Sequence, residues 1–185
     1  MPSVRFRLRL FWYRLDKEAC TAALVFGLLL GVLGFSARAV MQSREDALKR
    51  LEAQHAENLA CLARNVYFEA RGEPEAGQYA VAEVTMNRRA SGRYPNTVCG
   101  VVYQQTWDSL RGRYVGAFSW TELDNLPEPE GEAWARAQQI AEAVYNGRYV
   151  PKLQGALHFH ASYMKPDWAN ERRRVARIGG HIFYR

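Results

Sequence analysis

An uncharged stretch of nineteen residues, Ala19 to Ala37, constrains the fold of this chain more than any other feature of its sequence. Most of the stretch is apolar, and a helix of about this length crosses a hydrocarbon core of roughly 30 Å. It therefore predicts a transmembrane anchor at residues 19–37. Small residues within residues 34–39 leave a cleaved signal peptide as the alternative. Both interpretations export the rest of the chain.

Basic residues are distributed unequally around this stretch. Those that precede it are Arg5, Arg7, Arg9, Arg14 and Lys17, and those that follow it closely are Arg38 and Arg44. Because lysine and arginine are enriched on the cytoplasmic side of a span, we expect residues 1–18 to form a cytoplasmic basic tip. The chain is then a single-pass protein of the inner (cytoplasmic) membrane, with a periplasmic or otherwise extracytoplasmic domain.

The chain has 185 residues and a net charge of +6, much of it in the basic tip and in the run Arg172-Arg173-Arg174. Its length suits one ordinary domain with an appendage. Basic charge is also typical of nucleic-acid-binding proteins, but no groove-reading motif accompanies it in this sequence. Since a membrane flank explains the first cluster, we expect no nucleic-acid partner.

Residues 38–57 mix charges of both signs with a stripe of less polar residues at helical spacing. The stripe consists of Ala47, Leu48, Leu51 and His55. It predicts a stalk helix that continues into a domain at residues 58–185. The stripe is too short to argue for a coiled-coil contact.

A transition from helix to loop follows Glu69. The apolar residues before it recur at helical spacing and are Leu59, Leu62 and Val66. Glu69 lies three residues further along the same face. Gly72 and Pro74 then end the helix, because glycine gives up the most backbone entropy and proline cannot continue the hydrogen-bond ladder. We therefore expect Glu69 at the wall of a cleft.

A carboxyl group half buried against Tyr67 and Phe68 loses solvation of its charged form. The pKa of Glu69 should therefore rise toward neutrality, which would let this residue act as a general acid. The alternative is an ordinary salt bridge with Arg64 or Arg71 on a solvated helix end.

The helical patterns continue beyond this transition. A second helix is expected over residues 75–89, with Glu83 and Arg88 facing outward. Its inward-facing residues are Ala80, Val81, Val84 and Thr85. A short helix or strand is expected at residues 98–103, and an amphipathic helix at residues 132–146. The domain is therefore mainly helical.

Residues 156–161 and 175–184 have strand-like composition, and Gly179-Gly180 is typical of a two-residue hairpin turn. These patterns predict a small C-terminal antiparallel sheet, so the fold class is α+β. Residues 106–131 are interpreted as irregular and rich in aromatic side chains, which include Trp107, Tyr114, Phe118 and Trp120. Such rings are suited to stacking on sugars, or they complete the core.

Cys61 and Cys99 lie in the predicted exported domain, whereas Cys20 lies in the predicted span. An oxidising compartment favours a disulfide between the first two. Two free buried thiols are the alternative. A zinc site would need further ligands that the cysteine spacing does not indicate.

Three histidines occur in the strand-like region: His158, His160 and His181. Three histidines with an open position would suit a catalytic zinc. Because their spacing does not establish a shared site, we favour a polar lining of a cleft or a satisfied core position. We expect neither a metal site nor a cofactor.

Several short motifs occur together in residues 58–185. They are Glu69-Ala70-Arg71-Gly72-Glu73, Gly77-Gln78, Ala80-Val81-Ala82, Val84, Asn87-Arg88, residues 94–104, Phe118-Ser119 and residues 178–184. This set resembles the signature of the SleB family of cell-wall hydrolases, the spore-cortex-lytic type. The resemblance covers almost all of the predicted domain and involves several motifs, which makes it far more specific than a single short pattern.

The resemblance implies a lysozyme-like or transglycosylase-like fold that binds peptidoglycan glycan strands. It implies cleavage of the β-1,4 bond between N-acetylmuramic acid and N-acetylglucosamine, with Glu69 as proton donor. A lytic transglycosylase uses the same group to close a 1,6-anhydro ring, whereas the usual glycosidase needs a second carboxylate, for which Glu73 is the candidate. The candidate substrate-binding residues are Gln78, Asn87, Phe118, Ser119, His160 and His181.

Simpler roles remain open for two of these residues, since Gln78 could cap backbone groups and Asn87 could satisfy a loop. Two other functions are also open for the whole chain. A zinc-dependent N-acetylmuramoyl-L-alanine amidase would use His158, His160 and His181. A non-catalytic wall-binding protein would keep the aromatic segment and would not depend on Glu69.

Overall fold

The structure, a computed structural model, describes residues 17–109 and 111–185. The chain divides into two compact units, Met1–Glu52 and Ala53–Arg185. Of the predicted basic tip, only Lys17 and Glu18 lie within the described residues. The division into tip, anchor, stalk and domain stays a prediction.

The first helix, α1, runs from Lys17 to Ala70 and includes the predicted stalk without interruption. Its apolar side chains between residues 24 and 35 are exposed; Leu24 is 69% exposed and Phe35 is 75% exposed. Among the described residues, this is the one helix long and apolar enough to cross a membrane, and a signal sequence would satisfy the same criteria. Exposed apolar surface on this scale is unfavourable in water, which agrees with an anchor.

A turn at residues 71–74 separates α1 from helix α2, which spans Glu75–Ala90. The predicted inward residues of α2 are all fully buried. The prediction that Glu83 faces outward is wrong, because its carboxylate is buried and accepts hydrogen bonds from the backbone N–H groups of Lys152 (2.8 Å) and Leu153 (2.7 Å). These donors replace water around the charge.

The outward prediction for Arg88 is also wrong. Its side chain is buried, and Nε donates to the carbonyl of Leu157 at 2.8 Å. The guanidinium also lies over the rings of Tyr94 and Phe118, at 5.4 and 5.0 Å from the ring centroids. Hydrogen bonding and these cation–π contacts offset the cost of burying the charge.

Helix α3 spans Val98–Val102 and confirms the helical alternative for this short apolar segment. Thr97 caps it by accepting the N–H of Gly100 at 3.0 Å. A disulfide joins Cys61 of α1 to Cys99 of α3 and thereby ties the two helices together.

The segment interpreted as irregular instead contains a hairpin of strands β1, Gln105–Asp108, and β2, Arg113–Gly116. The interpretation failed because both strands are four residues long and largely exposed, so they lack the alternation that marks a half-buried strand. A 3-10 turn follows at Ser119–Glu122. Helix α4, Gly131–Tyr145, then agrees closely with its predicted range.

The C-terminal residues form the predicted antiparallel sheet, in the order β3-β5-β4. Its strands are β3, His158–Ala161; β4, Arg174–Ile178; and β5, His181–Tyr184. Gly179 and Gly180 form the turn between β4 and β5, and Gly179 has the positive φ of 57° that favours glycine. A second 3-10 turn, Asp167–Glu171, lies between β3 and β4.

A buried asparagine, Asn65, links the helix that bears Glu69 to two other elements. Its side chain donates to the hydroxyl of Thr85 in α2 at 3.0 Å and accepts the indole N–H of Trp120 at 2.9 Å. The core around it includes Leu62 and Val66 of α1. These contacts fix the end of α1 against the 3-10 turn that carries Trp120.

Candidate active site

The C-terminal end of α1 opens onto a cleft of about 550 Å³ in the unit Ala53–Arg185. The cleft is lined by residues from helices α1 and α2, from the end of β2 and the segment after it, from the C-terminal sheet and from the loop after β3. They are Phe68, Glu69, Arg88, Gly116, Ala117, Phe118, Ser119, Phe159, His160, Ala161, Tyr163, Met164, Pro166, Trp168 and His181. The cleft therefore combines one carboxyl group with aromatic rings and hydrogen-bonding side chains.

Burial raises the pKa of Glu69 to about 7, while the positive charge of Arg88 lowers it to a smaller extent. The position near the C-terminal end of α1 also disfavours a carboxylate, because this end of a helix carries partial negative charge. The predicted rise of the Glu69 pKa toward neutrality is thus confirmed. At neutral pH both protonation states of Glu69 are therefore populated, which suits a general acid or base.

The alternative of a salt bridge between Glu69 and a neighbouring arginine is wrong. Arg64 instead pairs with Glu128, with Nη1 at 3.1 Å from Oε2. Arg71 lies over the ring of Tyr67, at 4.9 Å from its centroid. The carboxyl group of Glu69 is left facing the cleft.

Arg88 is a cleft residue that reasoning from helical periodicity missed. Its pKa is lowered by burial, and the nearby Tyr94 and Glu69 act in the opposite direction. Its partners lie far away in sequence, so an isolated helix pattern assigns it to the surface. The short Asn87-Arg88 motif was the available signal.

Phe118 and Ser119 both line the cleft, as predicted for an aromatic and polar wall. Trp120 instead belongs to the core and stacks on Phe68 at 4.8 Å between ring centroids. Trp107 and Tyr114 pair across the hairpin outside the cleft, and they are 55% and 60% exposed. The aromatic residues of this segment therefore divide between the cleft, the core and the exposed hairpin.

His160 and His181 line the cleft, whereas His158 does not. Both ring nitrogens of His160 have partners, the carbonyl of Ala161 at 2.9 Å from Nδ1 and the hydroxyl of Tyr184 at 3.0 Å from Nε2. Burial lowers the pKa of His158 to about 4, and the charge of Arg172 adds to this effect. Across the described residues, no group of three or more His, Cys, Asp or Glu side chains is arranged to hold a metal ion.

Three of the predicted site residues are not brought into the cleft. Gln78 is buried and donates to the carbonyl of Glu73 at 3.0 Å. Asn87 donates to the carbonyl of Ala156 at 3.1 Å. The Glu73 side chain contacts the turn between β4 and β5 and does not line the cleft. The observed contacts of Gln78 and Asn87 are with the backbone.

The loop after β3 supplies cleft residues that were not predicted from the sequence, Tyr163, Met164 and Trp168. Tyr163 is 87% exposed, which makes it an available sugar-stacking surface. Trp168 contacts the rings of His160 and Tyr184 at 5.5 Å each. The aromatic composition of residues 163–168 was the available signal.

A half-buried glutamic acid with a near-neutral pKa, placed in a cleft of aromatic and polar side chains, is the kind of group that serves as general acid in enzymes that cleave glycosidic bonds. The chain belongs to the cell wall hydrolase family, whose profile matches residues 72–184. Glu69 lies three residues before this match. The family resemblance predicted from the sequence is thereby confirmed.

Individual relatives agree with this assignment. The chain is 32% identical over 130 residues to the spore cortex-lytic enzyme of Bacillus subtilis strain 168, an alignment that covers 68% of this chain and 37% of that enzyme. It is 31% identical over 126 residues to the spore cortex-lytic enzyme of Bacillus cereus, with 68% and 43% covered. The chain thus spans less than half the length of these curated relatives.

Solved structures show the same fold. The catalytic domain of the Bacillus cereus SleB protein matches with a TM-score of 0.55 and 30% identity, covering 69% of this chain and 89% of that one. The catalytic domain of the germination-specific lytic transglycosylase SleB from Bacillus anthracis matches with a TM-score of 0.50 and 29% identity, covering 69% and 93%. The mainly helical α+β fold with small antiparallel sheets is therefore the SleB catalytic-domain fold.

Proposed function

We propose that this chain is a peptidoglycan lytic transglycosylase that uses Glu69 as its single acid and base. The observation that carries the proposal is the near-neutral pKa of Glu69 in a cleft lined by sugar-stacking and hydrogen-bonding residues. Family membership and the structural match to a germination-specific lytic transglycosylase of Bacillus anthracis support the choice of substrate and reaction.

In the first step, protonated Glu69 donates its proton to the oxygen of the β-1,4 bond between N-acetylmuramic acid and N-acetylglucosamine. That bond breaks, and the N-acetylglucosamine side leaves with a new hydroxyl group. In the second step, the Glu69 carboxylate takes the proton of the muramoyl 6-hydroxyl, whose oxygen bonds to the anomeric carbon. The products are a 1,6-anhydro end and a Glu69 that is protonated again.

The carboxyl groups around the cleft support this route over two-carboxylate hydrolysis. Among the described residues that line the cleft, Glu69 is the one acid. A hydrolase of the usual kind needs a second carboxylate as nucleophile or base. Glu73, the second candidate, is engaged with the turn between β4 and β5.

Arg88 supports the first step of the proposed reaction, in which Glu69 gives up its proton. Its positive charge acts against the burial that raises the pKa of Glu69. This stabilises the carboxylate that forms once the first proton has left. Tyr163 and Trp168, the aromatic residues of the loop after β3, would stack on the sugar rings.

The proposed substrate lies outside the cytoplasm, and we propose that residues 19–37 anchor the enzyme in the inner membrane with its domain periplasmic. The exposed apolar face of α1 and the Cys61–Cys99 disulfide support an exported, anchored chain. A reporter that is active only outside the cytoplasm, fused after Arg185, should be active. An inactive fusion whose cytoplasmic counterpart is active would overturn this topology.

Glu69→Gln tests the catalytic assignment, because the amide keeps the shape of the side chain and cannot exchange the proton. We expect this variant to fold and to lose nearly all clearance of purified peptidoglycan, while a matched Glu75→Gln variant at an exposed position stays active. Near-normal clearance by Glu69→Gln would overturn the assignment.

A further inference from the structure

The carboxylate of Glu73 lies against the turn that joins β4 to β5. Its Oε2 accepts the backbone N–H of Gly180 at 2.7 Å, a contact between residues 107 positions apart in the sequence. A charged acceptor strengthens such a hydrogen bond and shortens it. Glu73 therefore ties the loop after α1 to the C-terminal sheet.

A side chain at either glycine of this turn would displace the carboxylate of Glu73. A Cβ on Gly180 would lie 2.7 Å from Oε1 of Glu73, and a Cβ on Gly179 would collide with Oε2. Gly179 also needs its positive φ of 57°. The two glycines thus allow the carboxylate to approach the backbone closely.

His181 follows this turn directly, and its ring lines the cleft. Its Nδ1 lies 3.6 Å from Oε1 of Glu73, just beyond hydrogen-bond distance, and within the described structure this buried nitrogen has no hydrogen-bond partner. Phe159 packs edge-on against the ring at 5.2 Å between centroids. The ring is therefore held between an apolar neighbour and a carboxylate.

The position of the proton on this ring follows from its surroundings. Burial lowers the pKa of His181, and the charge of Glu73 acts in the opposite direction without reversing this effect, so the neutral ring with one proton is favoured at neutral pH. A carboxylate can only accept hydrogen bonds. The proton is therefore favoured on Nδ1, the nitrogen next to Glu73, and Nε2 is left with a lone pair.

The two histidines of the cleft then differ in what they offer a ligand. His160 uses both ring nitrogens within the protein, toward Ala161 and Tyr184. His181 has an Nε2 available to accept a hydrogen bond. An acetamido N–H of a sugar is the matching donor, since it cannot accept a hydrogen bond in return.

We propose that Glu73 is a positioning residue that holds His181 with its proton on Nδ1, so that Nε2 accepts a hydrogen bond from the acetamido N–H of a sugar bound beside Glu69. The identification of the ligand as a sugar rests on the proposed function. The arrangement of Glu73, Gly180 and His181 can be tested without any activity measurement.

The first test is nitrogen NMR of the full chain in detergent with isotope-labelled histidine, since imidazole shifts distinguish the two tautomers. Loss of a signal in His181→Gln assigns the resonance. We expect the Nδ1–H form in the wild type and in Glu69→Gln. In Glu73→Gln the amide oxygen can still accept the N–H of Gly180, which leaves the amide NH₂ group facing Nδ1 of His181. Because this NH₂ group is a hydrogen-bond donor, Nδ1 should become the acceptor and the proton should move to Nε2. An Nε2–H form in the wild type, or an unchanged tautomer in Glu73→Gln, would overturn the proposal.

The second test compares KM and kcat on soluble glycan fragments. We expect Glu73→Gln to raise KM about 10-fold through loss of one substrate hydrogen bond, with little change in thermal stability. The matched control is Glu75→Gln, which removes an exposed carboxylate two positions away. An unchanged KM in Glu73→Gln would contradict the role of His181 as an acceptor. Inactivity of the wild type would instead count against the proposed function and leave the tautomer result standing.

Discussion

The indole N–H of Trp120 donates a hydrogen bond to the side-chain oxygen of Asn65 at 2.9 Å, and both side chains are buried. Asn65 lies one helical turn before Glu69, and Trp120 lies just after the cleft residues Phe118 and Ser119. One buried hydrogen bond thus sets the position of the proposed acid relative to a wall of its cleft.

Asn65→Ala should lower the free energy of unfolding by about 2–3 kcal/mol, because it leaves the buried indole N–H of Trp120 without a partner. It also removes the donor to the hydroxyl of Thr85, which keeps its own hydrogen bond to the carbonyl of Val81. Chemical denaturation of the full chain in detergent measures this loss. Gln138→Ala, at an exposed position of α4, is the control and should change stability little. A loss of stability as small as that of the control would show that the hydrogen bonds of Asn65 do not hold α1 against the turn that carries Trp120.

In the pH profile of kcat/KM, activity should fall at high pH as Glu69 loses its proton, and Arg88→Met should move this high-pH limb to higher pH. Loss of the positive charge leaves burial to raise the pKa of Glu69 further above its present value of about 7. Arg88→Lys keeps the charge and should keep the limb close to that of the wild type. A limb that stays in place in Arg88→Met would mean that it reports a group other than Glu69.

Glu69→Gln should stabilise the folded protein at high pH. In the wild type, the pKa of Glu69 is about 7 in the folded state and 4.5 ordinarily. The folded state therefore binds the proton more tightly than the unfolded state does, and the wild type loses stability as the pH rises from 4.5 to about 7. Below the ordinary pKa, the variant and the wild type should be similarly stable. Above pH 7, the variant should be more stable by about 3 kcal/mol. Denaturation curves at both pH values check this, and an advantage that is the same at both would contradict the pKa assignment.

The disulfide between Cys61 and Cys99 closes a loop with a sequence separation of 38. On loop-entropy grounds it should stabilise the domain by about 3–4 kcal/mol. Reductant should therefore lower the stability of the wild type and leave a Cys61→Ala/Cys99→Ala double variant unaffected. Alkylation of both thiols without reductant would contradict the bond.

Local patterns in the sequence predicted much of the fold. The break after Glu69 followed from Gly72 and Pro74, and the C-terminal hairpin followed from Gly179-Gly180 between two strand-like runs. Both features depend on backbone preferences that act within a few residues. The near-neutral pKa of Glu69 was predicted for a related reason, since its apolar neighbours are adjacent in the chain.

Contacts between distant segments account for what was missed. Glu83 and Arg88 are buried charges whose partners, Leu153 and Leu157, lie about 70 residues further along the chain. An isolated amphipathic helix pattern assigns such charges to solvent. The position of Glu73 against Gly180 likewise depends on docking of the C-terminal sheet, which no spacing within the motif around Glu69 reveals.

The most direct measurement of the central claim is mass analysis of peptidoglycan digested in water enriched in heavy oxygen. Closure of the 1,6-anhydro ring takes its oxygen from the muramoyl 6-hydroxyl, whereas hydrolysis takes it from water. We predict 1,6-anhydro-muramoyl ends without heavy oxygen for the wild type and no such ends for Glu69→Gln. Reducing muramoyl ends that carry heavy oxygen as the main product, or anhydro ends formed by Glu69→Gln, would contradict the account.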